Sequence, residues 1–438
     1  MPRWWIAFAI LPLLLCGAPA GAQSLEGAWQ GTVGTQQNVF KIRKAISGAL
    51  RGDLYTRGFD ETPRPLSTIV FNGTAVTFAV AHEDSEFQGV LAPGGNSIVG
   101  TWQRLGAPPV AVTLERATKE SRWPVDESPH KARLIAIDAD VSLEVLDWGG
   151  KGPPLVFLAG LGSTAHMFDE LAPKFADKHH VYGITRRGYG ASTKPPPTDR
   201  NYDADRLGDD VLAVIDALKL DRPVLAAHSI GGSELSSIGT RAPEKVAGLI
   251  YLDAAFWYAV HNSGDNWMSY EVDYAILRRR LADMANMSTN SAETMPALAA
   301  EIQALTERFL KNAQVARKIY DALPGRSPQT APANPPRLSP QMLVTGAISS
   351  NERRYSDIKP PSLVLMVFPR PCLPNCDNPS VRAYEAADRS QIDAIKREMR
   401  SVRVVTYPYA DHTNFFRTKE ADVMREMNAF MDGLGRPK

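Results

Sequence analysis

The chain is poor in cysteine, carries no surplus of either charge, and has no apolar run long enough to span a bilayer comfortably. With 3 cysteines in 438 residues, it is not a small disulfide-stapled scaffold, and the cysteines lack zinc-finger spacing. Lys and Arg total 49 and Asp and Glu 48, a net charge of +1. That balance argues against a nucleic-acid or membrane-surface partner recruited by charge. No glycine-rich phosphate loop is present, and neither a cofactor nor a metal is expected. What is present is ordinary globular composition, 44% hydrophobic and 22% charged, with length enough for two or three domains.

The N-terminus has the pattern of a targeting segment. Arg3 supplies a weak positive region, Trp4 to Leu15 an apolar stretch, and Ala20-Gly21-Ala22 a small-x-small cleavage site. Residues 1–22 are therefore expected to leave as a signal peptide, with a mature start near Gln23. The competing reading is a retained anchor. Lipidation at Cys16 is disfavoured because Leu15 before it is not small. A cleaved signal implies a periplasmic or secreted protein with no stable membrane anchor. In that oxidising setting Cys372 and Cys376, four positions apart, are expected to pair. The alternative, a metal site, lacks a nearby histidine.

Residues 23–117 carry no segment of helical period. They read as short strands between turns: Asn72-Gly73 sits between β-rich runs, and Pro93-Gly94-Gly95-Asn96 precedes Ile98-Val99. A small antiparallel barrel or sandwich is predicted. Trp29 and Trp102 are read as core residues rather than a carbohydrate platform. A charged, proline-punctuated linker is expected at 118–130.

From residue 131 to 438 the pattern changes. Pro154 to Ala159, Val181 to Thr185, Pro223 to Ala226 and Val246 to Leu252 are apolar runs alternating with helical segments. Such alternation requires a mostly parallel sheet with helices on both faces. Between about 256 and 358 it stops, and helical stretches near Tyr274–Met284 and Leu298–Leu323 suggest an inserted cap. Phe256, Trp257, Tyr258, Trp267, Met268 and Tyr270 either wall a pocket or form the cap's own core.

Ala227-His228-Ser229-Ile230-Gly231-Gly232 stands where a buried strand turns into a helix. A serine between small residues at such a turn is held on a strained backbone with its hydroxyl exposed. The plain alternative is a helix N-cap. Three further pieces occur in a fixed order around this turn. Gly160-Leu161-Gly162-Ser163 follows one strand, Arg187-Gly188-Tyr189-Gly190-Ala191-Ser192 follows the next, and His412 follows the last. Together they resemble the α/β-hydrolase-fold family. Two positions depart from the common pattern: Ala159 in place of histidine and Thr185 in place of aspartate. The opening Gly27-Ala28-Trp29 is similar to the first strand of lipocalin-like barrels.

The resemblance implies a serine hydrolase. A serine hydroxyl needs a base, and the base needs an acid to orient it. Ser229 is the expected nucleophile and His412 the base. The acid is Asp253, at the end of the sixth strand of the fold, or Asp377, beyond the seventh. Backbone N–H groups of Leu161 and Ile230 are the expected oxyanion hole. His228 is read as structural. The reaction expected is hydrolysis of a partly apolar small-molecule carboxylic ester through an acyl-enzyme. Aminopeptidase-like and carbon–carbon bond hydrolases share this machinery. A serine nucleophile argues against haloalkane dehalogenase or epoxide hydrolase, which use aspartate in this fold. A binding protein that has lost activity is the reading from another class.

Overall fold

The computed structural model describes residues 24–34, 36–45, 48–56, 64–80, 85–104, 108–118, 130–262, 266–285, 294–321, 340–350, 355–372, 376–413 and 415–434. The expected signal peptide at 1–22 and nearly all of the expected linker lie outside these residues. The chain divides into two compact units, one formed by residues 1–55 and 63–123 and the other chiefly by residues 124–438.

The first unit is a closed antiparallel barrel, so the barrel-or-sandwich alternative resolves to a barrel. Its strands are β1 (Gly27–Val33), β2 (Gln36–Lys44), β3 (Leu50–Thr56), β4 (Arg64–Asn72), β5 (Ala75–Val80), β6 (Ser85–Leu91), β7 (Ser97–Arg104) and β8 (Val110–Ala117). Period-two alternation selects the inward face. Along β5, Val76, Phe78 and Val80 are buried while the residues between them are not. The Asn72-Gly73 turn joins β4 to β5 with Asn72 opposite Ala75, and Gly73 takes φ +71° there. Aromatic rings fill the interior. Phe78 faces Phe87 across the ladder, with centroids 4.8 Å apart, and Phe40 lies 5.0 Å from Phe78. Trp29 is fully buried in this core and Trp102 packs against it half-buried.

The second unit is built on an eight-stranded sheet. Its strands are β9 (Lys131–Asp138), β10 (Val141–Gly149), β11 (Pro154–Leu158), β12 (His180–Ile184), β13 (Val224–His228), β14 (Gly248–Leu252), β15 (Ser362–Met366) and β16 (Val402–Thr406). Their order is β16-β15-β14-β13-β11-β12-β10-β9. β9 and β10 form an antiparallel hairpin and β10 meets β12 antiparallel; the remaining pairs are parallel. The central strands β13, β14 and β15 are buried along their whole length, which is why they read as unbroken apolar runs.

Helices cover both faces. In Ala204–Ala217 the buried stripe is Leu207, Val211, Val214 and Ile215, and Asp203 caps the first turn by accepting from Arg206 N at 2.7 Å. In Glu420–Leu434 the stripe is Val423, Met427 and Met431. Between β14 and β15 the chain runs through helices Tyr270–Ala285, Met295–Asp321 and Pro340–Ser349. The first begins a turn earlier than the periodicity predicts, and the sequence-based end at Leu323 lies outside the described residues. Trp267 and Met268 pack with Ala316 and Ile319 of this insertion, with Tyr270 against them.

Candidate active site

The site is assembled at the C-terminal ends of the central parallel strands. β13 ends at His228, and the chain turns through a single tight helical turn, Ser229–Gly231, into the helix Gly232–Arg241. Ser229 sits at φ +52°, a left-handed conformation that costs a non-glycine residue about 1–2 kcal/mol. Only small neighbours permit the turn. A Cβ on Gly232 would stand 1.9 Å from the Ala254 carbonyl oxygen, so the helix lies directly against the chain leaving β14. Ser229 remains half-buried, with its hydroxyl directed at an imidazole.

That imidazole belongs to His412, in the turn after β16. Its Nε2 lies 3.0 Å from Ser229 Oγ, and its Nδ1 lies 2.5 Å from Asp253 Oδ2. A carboxylate can only accept, so Nδ1 carries the proton and Nε2 offers its lone pair to the serine hydroxyl. Asp253 is 1% exposed and also has left-handed backbone, φ +48°. Its other oxygen accepts from Val367 N at 2.8 Å, which fixes the carboxylate to the strand end of β15. Asp377 is elsewhere: its side chain is 99% exposed and pairs with Arg382 at 2.9 Å. Of the two candidate acids, Asp253 alone contacts the histidine.

The turn after β11 faces the elbow. Leu161 packs against the apolar cluster that contains Ile230, and Ser163 N donates to Gly160 O at 3.3 Å. Arg186, which the sequence does not flag, holds this turn. Its guanidinium donates to Ala159 O at 2.9 Å and Gly160 O at 3.3 Å. It also donates to Glu234 on the helix behind the elbow, with both side chains 4% exposed. One buried cation therefore links the Leu161 turn to the Ser229 helix. Arg187 beside it makes a two-pronged contact with Asp210, at 2.5 Å for each bond. The doubled arginine before Gly188 was the available signal.

His228, which the sequence marks as structural, links the turn to the base. Its Nε2 lies 2.9 Å from the carbonyl oxygen of His412, and the two rings are 4.9 Å apart. Burial, with the neighbouring His412 adding to it, pulls its pKa down to about 3, so the ring is neutral. Its Nδ1 is buried with no hydrogen-bond partner among the described residues.

Around Ser229, His412 and Asp253, the aromatic residues separate into two groups. Phe256 lies 6.1 Å from His412, centroid to centroid, with the Arg370 guanidinium 4.8 Å above its ring. Trp267, Met268 and Tyr270 belong instead to a cluster that joins the insertion to the helix Pro379–Glu398, through Ala383, Tyr384 and Ala387. The sulfurs of Cys372 and Cys376 lie 2.11 Å apart.

Among the described residues, His130, His166 and Asp169 bring donor atoms within 4.8 Å of one another, a set able to hold a cation. The same groups are linked by hydrogen bonds. His130 Nδ1 and His166 Nδ1 lie 2.9 and 3.2 Å from the Asp169 oxygens, and Trp148 Nε1 donates to the same carboxylate at 3.1 Å. Burial works against a charge on His166, but hydrogen bonds to Asp169 and Glu144 outweigh it and raise its pKa to about 10.

Residues 155–425 match the model of the alpha/beta hydrolase family. The chain is 30% identical over 139 residues to a fluoroacetate dehalogenase of Burkholderia sp, covering 31% of this chain and 45% of that protein. It is 31% identical over 117 residues to 3-oxoadipate enol-lactonase 2 of Acinetobacter baylyi, covering 26% and 43%. The match thus spans less than half the length of these curated relatives. Among solved structures, E-2-(acetamidomethylene)succinate hydrolase is similar at 19% identity and a TM-score of 0.41, covering 69% of this chain and 99% of that one. With the family match extending over more than half of its residues, and with this sheet order and elbow, the chain belongs to the alpha/beta hydrolase family.

Proposed function

We propose that the protein is an exported serine hydrolase that cleaves carboxylic esters through an acyl-enzyme. The observation that carries this reading is the continuous contact from Ser229 Oγ through the His412 ring to Asp253, at 3.0 and 2.5 Å. Ser229 attacks the ester carbonyl as His412 Nε2 takes its proton. Charge gathers on the former carbonyl oxygen, where N–H groups of Ile230 and Leu161 stabilise it. The imidazolium, steadied by Asp253, then protonates the departing alcohol. Water, deprotonated by His412 in its turn, attacks the acyl-serine; the acid leaves and Ser229 recovers its proton.

A hydroxyl nucleophile suits acyl transfer, and the kinship with an enol-lactonase extends the candidate substrates to cyclic esters. Phe256, close to His412, favours a partly apolar acyl or alcohol group. The test is hydrolysis of p-nitrophenyl acyl esters of graded length and of lactones, with a fluorophosphonate probe to label the nucleophile. Turnover and labelling that vanish in Ser229→Ala support the reading. Absence of both in the unaltered protein overturns it and favours a binding role on this scaffold.

Export and the Cys372–Cys376 bond belong to the same proposal. Both are tested by the intact mass of protein recovered from the periplasm or medium. Cleavage before Gln23 and two thiols protected from alkylation are expected.

A further inference from the structure

His228 touches three parts of the site at once. By its peptide bond it precedes Ser229. Through Nε2 it reaches the main-chain carbonyl of His412 at 2.9 Å. On its other edge it fills the space beside the Leu161 turn, where a Cβ on Gly160 would stand 2.8 Å from His228 Nδ1 and 3.3 Å from Ser229 Cβ. Nucleophile and base are therefore joined twice, once by their reacting side chains and once by a bond that takes no part in the chemistry.

The choice of imidazole needs explaining, because a buried ring nitrogen without a partner is costly. A carbonyl can only accept, so the proton of His228 is on Nε2 and the unpartnered Nδ1 holds the lone pair. A phenyl ring would fill the same volume without an orphaned nitrogen. What it would lack is the donor to His412.

We infer that His228 is a positioning residue, a neutral Nε2–H donor that sets the main chain of His412 and, with Gly160, seats the Leu161 turn against the elbow. The inference rests on the Ser229–His412–Asp253 reading for its kinetic consequence, but not for its structural one. The ring's hydrogen bond goes to main chain and not to a reacting atom. It acts through the base, whose imidazole has to meet both Ser229 Oγ and Asp253 within hydrogen-bond reach. Misplacing such a group by about 1 Å costs on the order of a hundredfold in rate.

The test compares His228→Phe, which keeps the ring and removes the donor, with His228→Gln, whose amide nitrogen reaches the same carbonyl. Two readouts are taken on protein of unchanged circular dichroism: ester turnover, and hydrogen exchange of the segment 407–413. Phe is expected to lower kcat by about 10- to 100-fold with KM little changed, the pattern of a defect in the chemical step. It is also expected to speed exchange in 407–413 alone. Gln is expected to restore kcat to within roughly threefold and to return exchange to its original rate. If Phe does not fold, His228→Asn, one carbon too short to reach the carbonyl, takes its place with the same expectation.

A folded Phe or Asn variant with unaltered kcat and unaltered exchange overturns the inference. So does a Gln variant no better than the donor-free one. If the unaltered protein neither turns over ester nor takes the fluorophosphonate label, the hydrolase reading fails separately, and the exchange comparison still decides whether His228 anchors His412.

Discussion

Ser229 and Asp253 leave neighbouring parallel strands in the same left-handed conformation, at φ +52° and +48°, and both side chains meet one imidazole. The ladder explains the convergence. β13 and β14 run in register, with His228 opposite Leu252, so the next residue of each strand emerges side by side. Non-glycine residues in this conformation are strained, and such strain persists where surrounding structure enforces it.

The strain at the elbow is measurable. Replacing Ser229 by Ala removes the hydroxyl but leaves a Cβ in the left-handed region; replacing it by Gly removes both. Ser229→Gly is expected to be more stable than Ser229→Ala by about 1 kcal/mol, while both lose ester turnover. Thermal unfolding of the two variants side by side checks this. Equal midpoints would mean that the turn stores no strain.

The identity of the acid is tested by a pair of substitutions. Asp253→Asn preserves size but turns an acceptor-only group into one that can present a donor to His412 Nδ1, so the ring loses its favoured tautomer. A fall in kcat of about ten-thousandfold is expected, the scale seen when a triad aspartate becomes asparagine. Asp377→Asn, on an exposed side chain paired with Arg382, is expected to leave kcat within a factor of two. Kinetics of both variants on the best p-nitrophenyl ester decide the matter.

Much of this site was legible in the sequence because it depends on local chemistry. The small residues around Ser229, the apolar runs of β11 to β15, and the placement of His412 after the last strand are patterns that one chain displays on its own. The acid remained a choice between Asp253 and Asp377 because strand order and register decide which carboxylate reaches the ring. The same holds for His228 and Arg186. Their partners, the His412 carbonyl 184 positions away and the Ala159 carbonyl 27 positions away, become neighbours only in the folded sheet. The barrel was legible as alternation and turns, but its closure through β1 and β8 is a long-range pairing that no local pattern encodes.

Arg186 shows what such a hidden tie is worth. It is buried, and its partner Glu234 is buried with it. Arg186→Met leaves the Glu234 carboxylate without its cation and the Ala159 and Gly160 carbonyls without a donor. A loss of about 3–5 kcal/mol in unfolding free energy is expected, the cost of breaking a buried pair from one side. Arg186→Met combined with Glu234→Leu should recover part of that loss, because the stranded charge is gone. Catalysis should not recover with it, since the Leu161 turn stays untethered. Urea unfolding and ester kinetics of the single and double variants separate the two effects. Recovery of both together would mean that Arg186 serves stability alone.

Two histidines set opposite limbs of the stability profile. His228 is neutral in the fold, its pKa drawn down to about 3 chiefly by burial. The unfolded chain, with an ordinary histidine pKa near 6.5, takes up a proton over a range where the fold does not. Stability from this residue is therefore complete above about pH 6.5 and is lost as pH falls below it, by at most about 1.4 kcal/mol per pH unit. His166 has the reverse sign. Its pKa near 10 means that the fold keeps a proton which the unfolded chain releases above about pH 6.5. Stability from it is complete below that point and declines as pH rises toward 10. The contribution of these two residues to the unfolding midpoint should accordingly fall on both sides of about pH 6.5. Burial also raises the pKa of Asp210, Glu234 and Asp388, so the assignment rests on comparing variants rather than on the pH windows alone. His166→Gln should flatten the alkaline limb and His228→Gln the acid limb, each leaving the other in place. Midpoints that keep both slopes in both variants would assign the limbs to other groups and remove the basis for a neutral His228 beside the base.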